Sequence, residues 1–236
     1  MKYIEQNKYG INNFYAEVGK LMHYVLEKIL DGSLELDNAS MYFAKNIKNY
    51  VFTRVKESTM DKTYDACISY LVNLDMDFLS GYRIIGVEIR CNYMIDDNIS
   101  FLGYIDLLVQ NEQTKDYVLI DHKSSKYPLK KDGSVLKSEQ ENFEHYKRQI
   151  YLYSHYVFLK YGKYPTELWW NHFKSNKIVK IPFDIHEANQ ALEWFMDTIK
   201  KIYNDENFLP KPSYMQCNVL CDYREECEYK KYGYTE

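Results

Sequence analysis

From Asn13 to Leu30 apolar residues recur at helical spacing. Phe14, Val18, Leu21, Met22, Val25, Leu26 and Ile29 form one stripe, and Asp31-Gly32 ends it. The same period predicts two further helices near Asn38–Val55 and Lys62–Leu79. The period then changes. Ile85, Val87 and Ile89 alternate with other residues, as do Gly103, Ile105, Leu107 and Val109, and then Val118 and Ile120, which predicts a three-stranded antiparallel meander. The polar stretch Ser124–Ser138, with Pro128 and Gly133, reads as a mobile loop. Helical spacing returns over Glu139–Lys160. Two short strands follow over Glu167–Phe173 and Lys177–Phe183, then a helix over His186–Tyr203. No repeat and no Gly-, Pro- or Ser-rich linker divides the chain. The expectation is one α/β domain over 1–236, with a helical part at 12–80, a sheet with its helix at 81–183, and a helix plus cysteine tail at 184–236.

Composition narrows the field. With 236 residues, 46% apolar and 27% charged, the chain has the make-up of a globular protein and the length for one substantial core. It contains no run of about 18 apolar residues, so no membrane partner is expected. The start, MKYIEQNKYG, lacks the apolar stretch of a secretory signal, and a cytoplasmic location is expected. A formal charge of −4 weighs against a nucleic-acid partner unless divalent cations fill a carboxylate site and reverse the local field. The 25 tyrosines accompany plentiful Lys, Asn and Ile, as in an AT-rich genome, so they do not by themselves indicate base stacking.

Candidate chemistry lies in Phe101–Lys126, FLGYIDLLVQNEQTKDYVLIDHKSSK. Strict alternation puts Asp106 on a face with Tyr104 and Leu108, and Asp121 on a face with Lys123. A four-residue hairpin loop, Glu112–Lys115, pairs Asn111 with Asp116 and carries Asp106 opposite Asp121. Directly opposed side chains lie about 4.5–5.5 Å apart at Cβ, and two carboxylates that close repel unless a cation lies between them. Mg²⁺ or Mn²⁺ suits such oxygen ligands, and the His122 backbone carbonyl is a candidate further ligand. Lys123 is placed to orient or deprotonate an attacking water, or to stabilise charge on a phosphorane. The alternative is an Asp–Lys ion pair closing the hairpin. His23 shares a helical stripe with Gly19 and Glu27 and could instead be a hydrogen-bonded core histidine. Gln149 and Tyr153 form another pair four residues apart, with core or cap chemistry as their alternative.

Taken in order, Gly19-x-x-x-His23-x-x-x-Glu27, Gly103-x-x-Asp106, Asp121-x-Lys123 and Gln149-x-x-x-Tyr153 resemble the RecB-type branch of the PD-(D/E)XK nucleases, from about Glu17 to Lys230. That branch includes the RecB and AddB nuclease domains and the CRISPR-adaptation exonucleases. The resemblance implies a restriction-endonuclease-like α/β fold, a mixed and mainly antiparallel sheet flanked by helices, with a helical insert and a Cys-rich C-terminal tail. It implies His23, Asp106 and Asp121 as ligands of Mg²⁺ or Mn²⁺, Lys123 as the catalytic lysine, and Gln149 and Tyr153 as residues that support the site and contact DNA. Glu27 stands behind the ligands rather than among them. The resemblance also favours exonuclease action on single-stranded DNA or DNA ends. The alternatives are a structure-selective DNA endonuclease, or a non-catalytic DNA-binding or scaffold subunit with protein partners in a repair, recombination or phage complex.

Cys217, Cys221 and Cys227 are spaced C-x3-C-x5-C in the tail, and grouped thiols in a reducing compartment point to a metal or cluster. Many RecB-branch members end on three cysteines of a [4Fe–4S] cluster, with a fourth ligand before the His-bearing helix. This chain has no cysteine there, so an iron–sulfur cluster, zinc and plain reduced thiols all stay open. Cys67 and Cys91 read as core residues. The segment after Lys123 collects Lys126, Lys130 and Lys131 around Tyr127, either to grip a phosphate backbone and stack a base or as a solvated loop.

Overall fold

Five strands form one sheet in the order β1-β2-β3-β4-β5, with β1 at Tyr82–Met94, β2 at Ser100–Asn111, β3 at Tyr117–Lys123, β4 at Glu167–His172 and β5 at Lys177–Pro182. The structure is a computed structural model and describes residues 13–207 together with 209, 217, 218, 221, 223 and 227. The first three strands are the expected antiparallel meander. A helix, α4 (Gln140–Tyr161), then crosses over and delivers β4 parallel to β3, and β5 returns antiparallel. This is a mixed α/β fold of the restriction-endonuclease-like kind.

The sheet is covered on both faces. Leu108, Leu119, Leu168 and Trp170 pack with Ile150 and Val157 of α4 and with Ala188 of α5 (Ile185–Tyr203). The alternate positions Leu107, Val109, Val118, Ile120 and Trp169 pack with Leu30 and Leu79 on the other face. The consecutive pair Trp169 and Trp170 therefore serves both layers, which is why the strand reads as an unbroken apolar run. A third cluster joins α1 (Phe14–Leu30), α2 (Ala39–Tyr50) and α3 (Glu57–Val72) around Phe43, Leu71 and Phe173. The stripe seen in the sequence, Phe14, Val18, Leu21, Met22, Val25 and Leu26, is the buried face of α1, and the Asn13 side chain caps its start by accepting from the Ala16 amide at 2.9 Å. Glu17 is buried on the same helix and accepts from the Phe52 and Thr53 amides at 2.9 and 2.8 Å, fixing the α2–α3 connection onto α1.

Three boundaries differ from the sequence expectation. The helix expected over 38–55 stops at Tyr50, and Val51 turns extended. The helix expected over 62–79 begins five residues earlier, at Glu57, and ends at Val72, with a separate turn of 3-10 helix at Asp77–Leu79. The stretch read as a mobile loop carries a small hairpin, with a bridge between Leu129 and Val135 and the Lys130 amide donating to the Ser134 carbonyl at 2.8 Å. No described helix is long and apolar enough to cross a membrane.

Alternation also fails at one place, and that place is the candidate site. Gly103 and Ile105 turn to the α4 side, yet so does Leu108, so β2 exchanges faces between Ile105 and Leu108. Tyr104 is half exposed and does not share a face with Leu108. On β1 the register shifts at Ile84–Gly86, and Glu88, which falls across from Asp106, has a φ of 47°. A left-handed glutamate costs roughly 1–2 kcal/mol and persists only where surrounding structure holds it.

Gly103 leaves no room for a side chain. A Cβ there would lie 2.5 Å from Tyr153 Cε1 and 3.3 Å from Cys91 Sγ. Gly103→Ala is expected to cost about 1–3 kcal/mol by overpacking and to push Tyr153 away from Gln149. Chemical denaturation of the variant, compared with its residual nuclease activity, checks both effects. A variant as stable and active as the parent would show that the ring yields freely.

Candidate active site

The β2–β3 register is the one read from the hairpin. Leu107 pairs with Ile120, Val109 with Val118, and the Asn111 amide donates to the Asp116 carbonyl at 2.8 Å. The ladder stops one step before Asp106 and Asp121 would pair. There the Asp106 carboxylate replaces a backbone acceptor, taking the His122 amide at 2.6 Å. The strands part at this point and leave both carboxylates buried beside each other's charge.

Helix α1 brings His23 to the opening. Its Nδ1 lies 3.5 Å from Asp106 Oδ2 and 3.9 Å from Glu88 Oε1. His23, Glu88 and Asp106 present ligand atoms within 4.8 Å of one another, close enough to share one metal ion. They line a cleft of about 510 Å³ with Glu27, Lys20 and Tyr24. Gly19, one turn before His23, faces Ser124 at the end of β3, where a Cβ would stand 3.7 Å from Ser124 Oγ.

Electrostatics describe a site short of positive charge. Burial pushes the Glu88 carboxyl up to about 7, and the Asp106 charge adds to the effect. Burial pushes Asp121 up to about 6; Lys123 opposes the shift and Asp106 reinforces it. Asp106 is itself buried, yet its contacts with His23 and the His122 amide hold it below the ordinary carboxylate range. Burial would lower His23, but the bond to Asp106 outweighs it and raises its pKa. Carboxylates crowded until two resist ionisation fit a divalent cation, since hard oxygen donors then share one charge instead of repelling.

Asp121 is paired with a cation. Its Oδ2 lies 2.6 Å from Lys123 Nζ, and that ammonium also donates to Gln149 Oε1 at 2.7 Å. Gln149 in turn donates to the Tyr153 hydroxyl at 2.9 Å, and the Tyr146 ring sits 4.3 Å under the ammonium. Lys123 is thus held by three partners, two of them from one face of α4. Of the residues singled out in the sequence, the structure joins His23 with Asp106 and Asp121 with Lys123, Gln149 and Tyr153. Glu27 lines the cleft and acts on Glu88 through its charge.

The His122 side chain is buried, its ring edge-on to that of His23 at 5.9 Å between centroids, and burial pushes its pKa down to about 4 and keeps it neutral. It lies 3.1 Å from Asn171 Nδ2, which donates to the Tyr70 hydroxyl at 2.7 Å, so a buried polar chain joins β3, β4 and α3 behind the site. Lys126, Lys130 and Lys131 are exposed, whereas Tyr127 is partly buried, edge-on to His172 with Lys177 4.9 Å over its ring. That ring is engaged in the fold itself.

Glu88, Asn171 and Tyr146 were not among the residues singled out. Glu88 carried a signal, a carboxylate between Val87 and Ile89, but alternation assigns it to the opposite face from those two. The others are positioned by long-range packing.

In the tail, Cys217, Cys221 and Cys227 are partly buried and outside disulfides, as are Cys67 and Cys91 in the core. Residues 219, 220, 222 and 224–226 between them lie outside the described ones. Burial pushes the Cys67 and Cys91 thiols up to about 12 and 11, which disfavours the thiolate a cluster needs from a fourth ligand.

Comparison with known protein families matches residues 2–230 to the PD-(D/E)XK nuclease superfamily. No match is found among curated proteins.

Proposed function

The chain belongs to the PD-(D/E)XK nuclease superfamily, and from that premise we propose that it is a RecB-type deoxyribonuclease acting as an exonuclease on single-stranded DNA or DNA ends. The carrying observation is the convergence of His23, Glu88 and Asp106 next to the Asp121–Lys123 pair. His23, Asp106 and Asp121 would hold Mg²⁺ or Mn²⁺, with Glu88 added here and with the His122 carbonyl, which an extended strand turns to the same side as its amide. The ion supplies Lewis acidity toward the phosphate and acidifies water. Lys123 orients the attacking water and stabilises the charge gathering on the phosphate. Gln149 fixes the ammonium, and Tyr153 fixes Gln149. Lys126, Lys130 and Lys131 meet the DNA backbone. Among the described residues Cys217, Cys221 and Cys227 do not converge as a ligand group, and no step depends on an iron–sulfur cluster there.

Linear and covalently closed DNA, single- and double-stranded, incubated with Mg²⁺, Mn²⁺ or EDTA, separate the readings. Linear single strands are expected to be degraded with either ion, closed circles to survive, and EDTA or Asp121→Ala to stop the reaction. Cutting of closed circles would replace the exonuclease with a structure-selective endonuclease. Retention of DNA without hydrolysis under all conditions would leave a binding subunit.

A further inference from the structure

We propose that the groove between α4 and the C-terminal half of α5 holds the unpaired nucleotides flanking the scissile phosphate, with one base stacked on Trp194. The inference rests on the nuclease reading and adds the feature that selects single strands.

The groove has a volume of about 520 Å³ and opens at Gln149 and Tyr153, beside the partners of Lys123. Its walls are Phe101, Leu102, Tyr146, Arg148, Trp194 and Ile202, together with their neighbours on the two helices. Leu102 and Ile202 are 55% and 54% exposed, and Trp194 is 39% exposed, whereas Trp169 and Trp170 are sealed in the core. An open apolar surface joined to a reaction centre marks a binding site.

Charge identifies the occupant. The chain carries 34 acidic residues against 30 basic ones, yet none of the residues lining this groove is acidic and Arg148 is among them. The cleft on the other side of the site has the opposite character, with Glu27, Glu88 and Asp106. A polyanion fits the first and a cation the second. The Arg148 guanidinium rests 4.8 Å over the Trp194 ring, so a cation and an aromatic face occur together, the pairing that grips a nucleotide by phosphate and base at once. Bases inside a duplex have both faces covered by their neighbours, so the ring is open to an unpaired strand and closed to the interior of a duplex. Ile199 and Ile202 also line a second cavity of about 640 Å³ with Ile99, Ser100, Tyr203 and the acidic Asp205, so the polyanion-binding character ends at these two isoleucines.

Trp194 reports on itself, being the exposed one of three tryptophans. Oligothymidylate added to the full chain, with Ca²⁺ in place of Mg²⁺ to hold back cleavage, is expected to quench its fluorescence, and a blunt duplex is not. Trp194→Ala is expected to raise the KM for a single-stranded oligonucleotide roughly tenfold or more, with kcat changed far less. Trp194→Phe is expected to recover most of the loss. In the parent protein an abasic nucleotide next to the scissile phosphate carries a similar penalty, and in Trp194→Ala that penalty disappears. Absence of quenching overturns the proposal. So does an abasic penalty that persists undiminished in Trp194→Ala. Because quenching needs no cleavage, it decides the groove even if the parent protein hydrolyses no DNA, an outcome that would sink the nuclease reading separately.

Discussion

Lys123→Met is expected to lower kcat for DNA hydrolysis by about 10²–10³-fold, the cost of removing one preorganised group that meets charge developing in the transition state. KM should change little, because the lysine is partly buried and held by protein partners, and is not on the exposed surface that first meets DNA. The ammonium touches Asp121 at 2.6 Å, Gln149 at 2.7 Å and the Tyr146 ring at 4.3 Å, so its place is fixed before any substrate arrives. Gln149→Leu removes one of those three restraints and should cost less, about tenfold. The informative variant is the double. Gln149 acts on the reaction through Lys123, so adding Gln149→Leu to Lys123→Met should lower kcat little further, where independent contributions would multiply. Steady-state kinetics on the four proteins, with circular dichroism to confirm folding, give the answer. Two full losses in the double variant would mean that Gln149 serves the chemical step independently of Lys123. A Lys123→Met protein with near-parental kcat would remove the lysine from the mechanism.

The parts of this site that were legible in the sequence are those set by local rules. Hairpin length fixes strand register, so a four-residue loop at Glu112–Lys115 was enough to pair Leu107 with Ile120 and bring Asp106 and Asp121 to one level. Helical period placed His23 and Glu27 on a shared stripe, and they do line one cleft. Glu88 escaped because two irregularities on β1, a register shift before Gly86 and a left-handed backbone at Glu88 itself, turn it toward the cleft. Alternation presumes a regular strand, and active sites are where regularity is given up. The chain His122–Asn171–Tyr70 escaped for another reason. It spans 101 positions from Tyr70 to Asn171, and no local pattern links an amide on a buried strand with a phenol on a distant helix. Helix ends were misplaced where Val51 and Asn73 stop helices that their flanking apolar residues seemed to continue.

Glu88→Gln is expected to stabilise the metal-free protein increasingly as pH rises, and to weaken it once metal is added. In the folded chain the Glu88 carboxyl titrates at about 7 against an ordinary 4.5, because burial and the Asp106 charge both oppose ionisation. A carboxyl raised in this way favours the folded state while protonated. That contribution is complete below the unfolded value and is lost as pH climbs through about 7. Glutamine cannot ionise and loses nothing. The melting temperature of the variant minus that of the parent, measured in EDTA, should therefore be small near pH 5 and grow by roughly 3–8 °C toward pH 8, an interval reduced from the full linkage because the side chain is 29% exposed. His122 and His172, whose pKa values burial lowers, titrate alike in both proteins and cancel from the difference. With saturating Mn²⁺ the sign reverses. The parent gains stability by binding the ion, and the variant, left with His23 and Asp106 in that group, binds it about tenfold or more weakly and gains less. Thermal scans across pH 5–8, with EDTA and with Mn²⁺, contain both halves of the test. A flat difference in EDTA would mean that Glu88 is ionised without strain, and an undiminished response to Mn²⁺ would remove it from the metal's ligands.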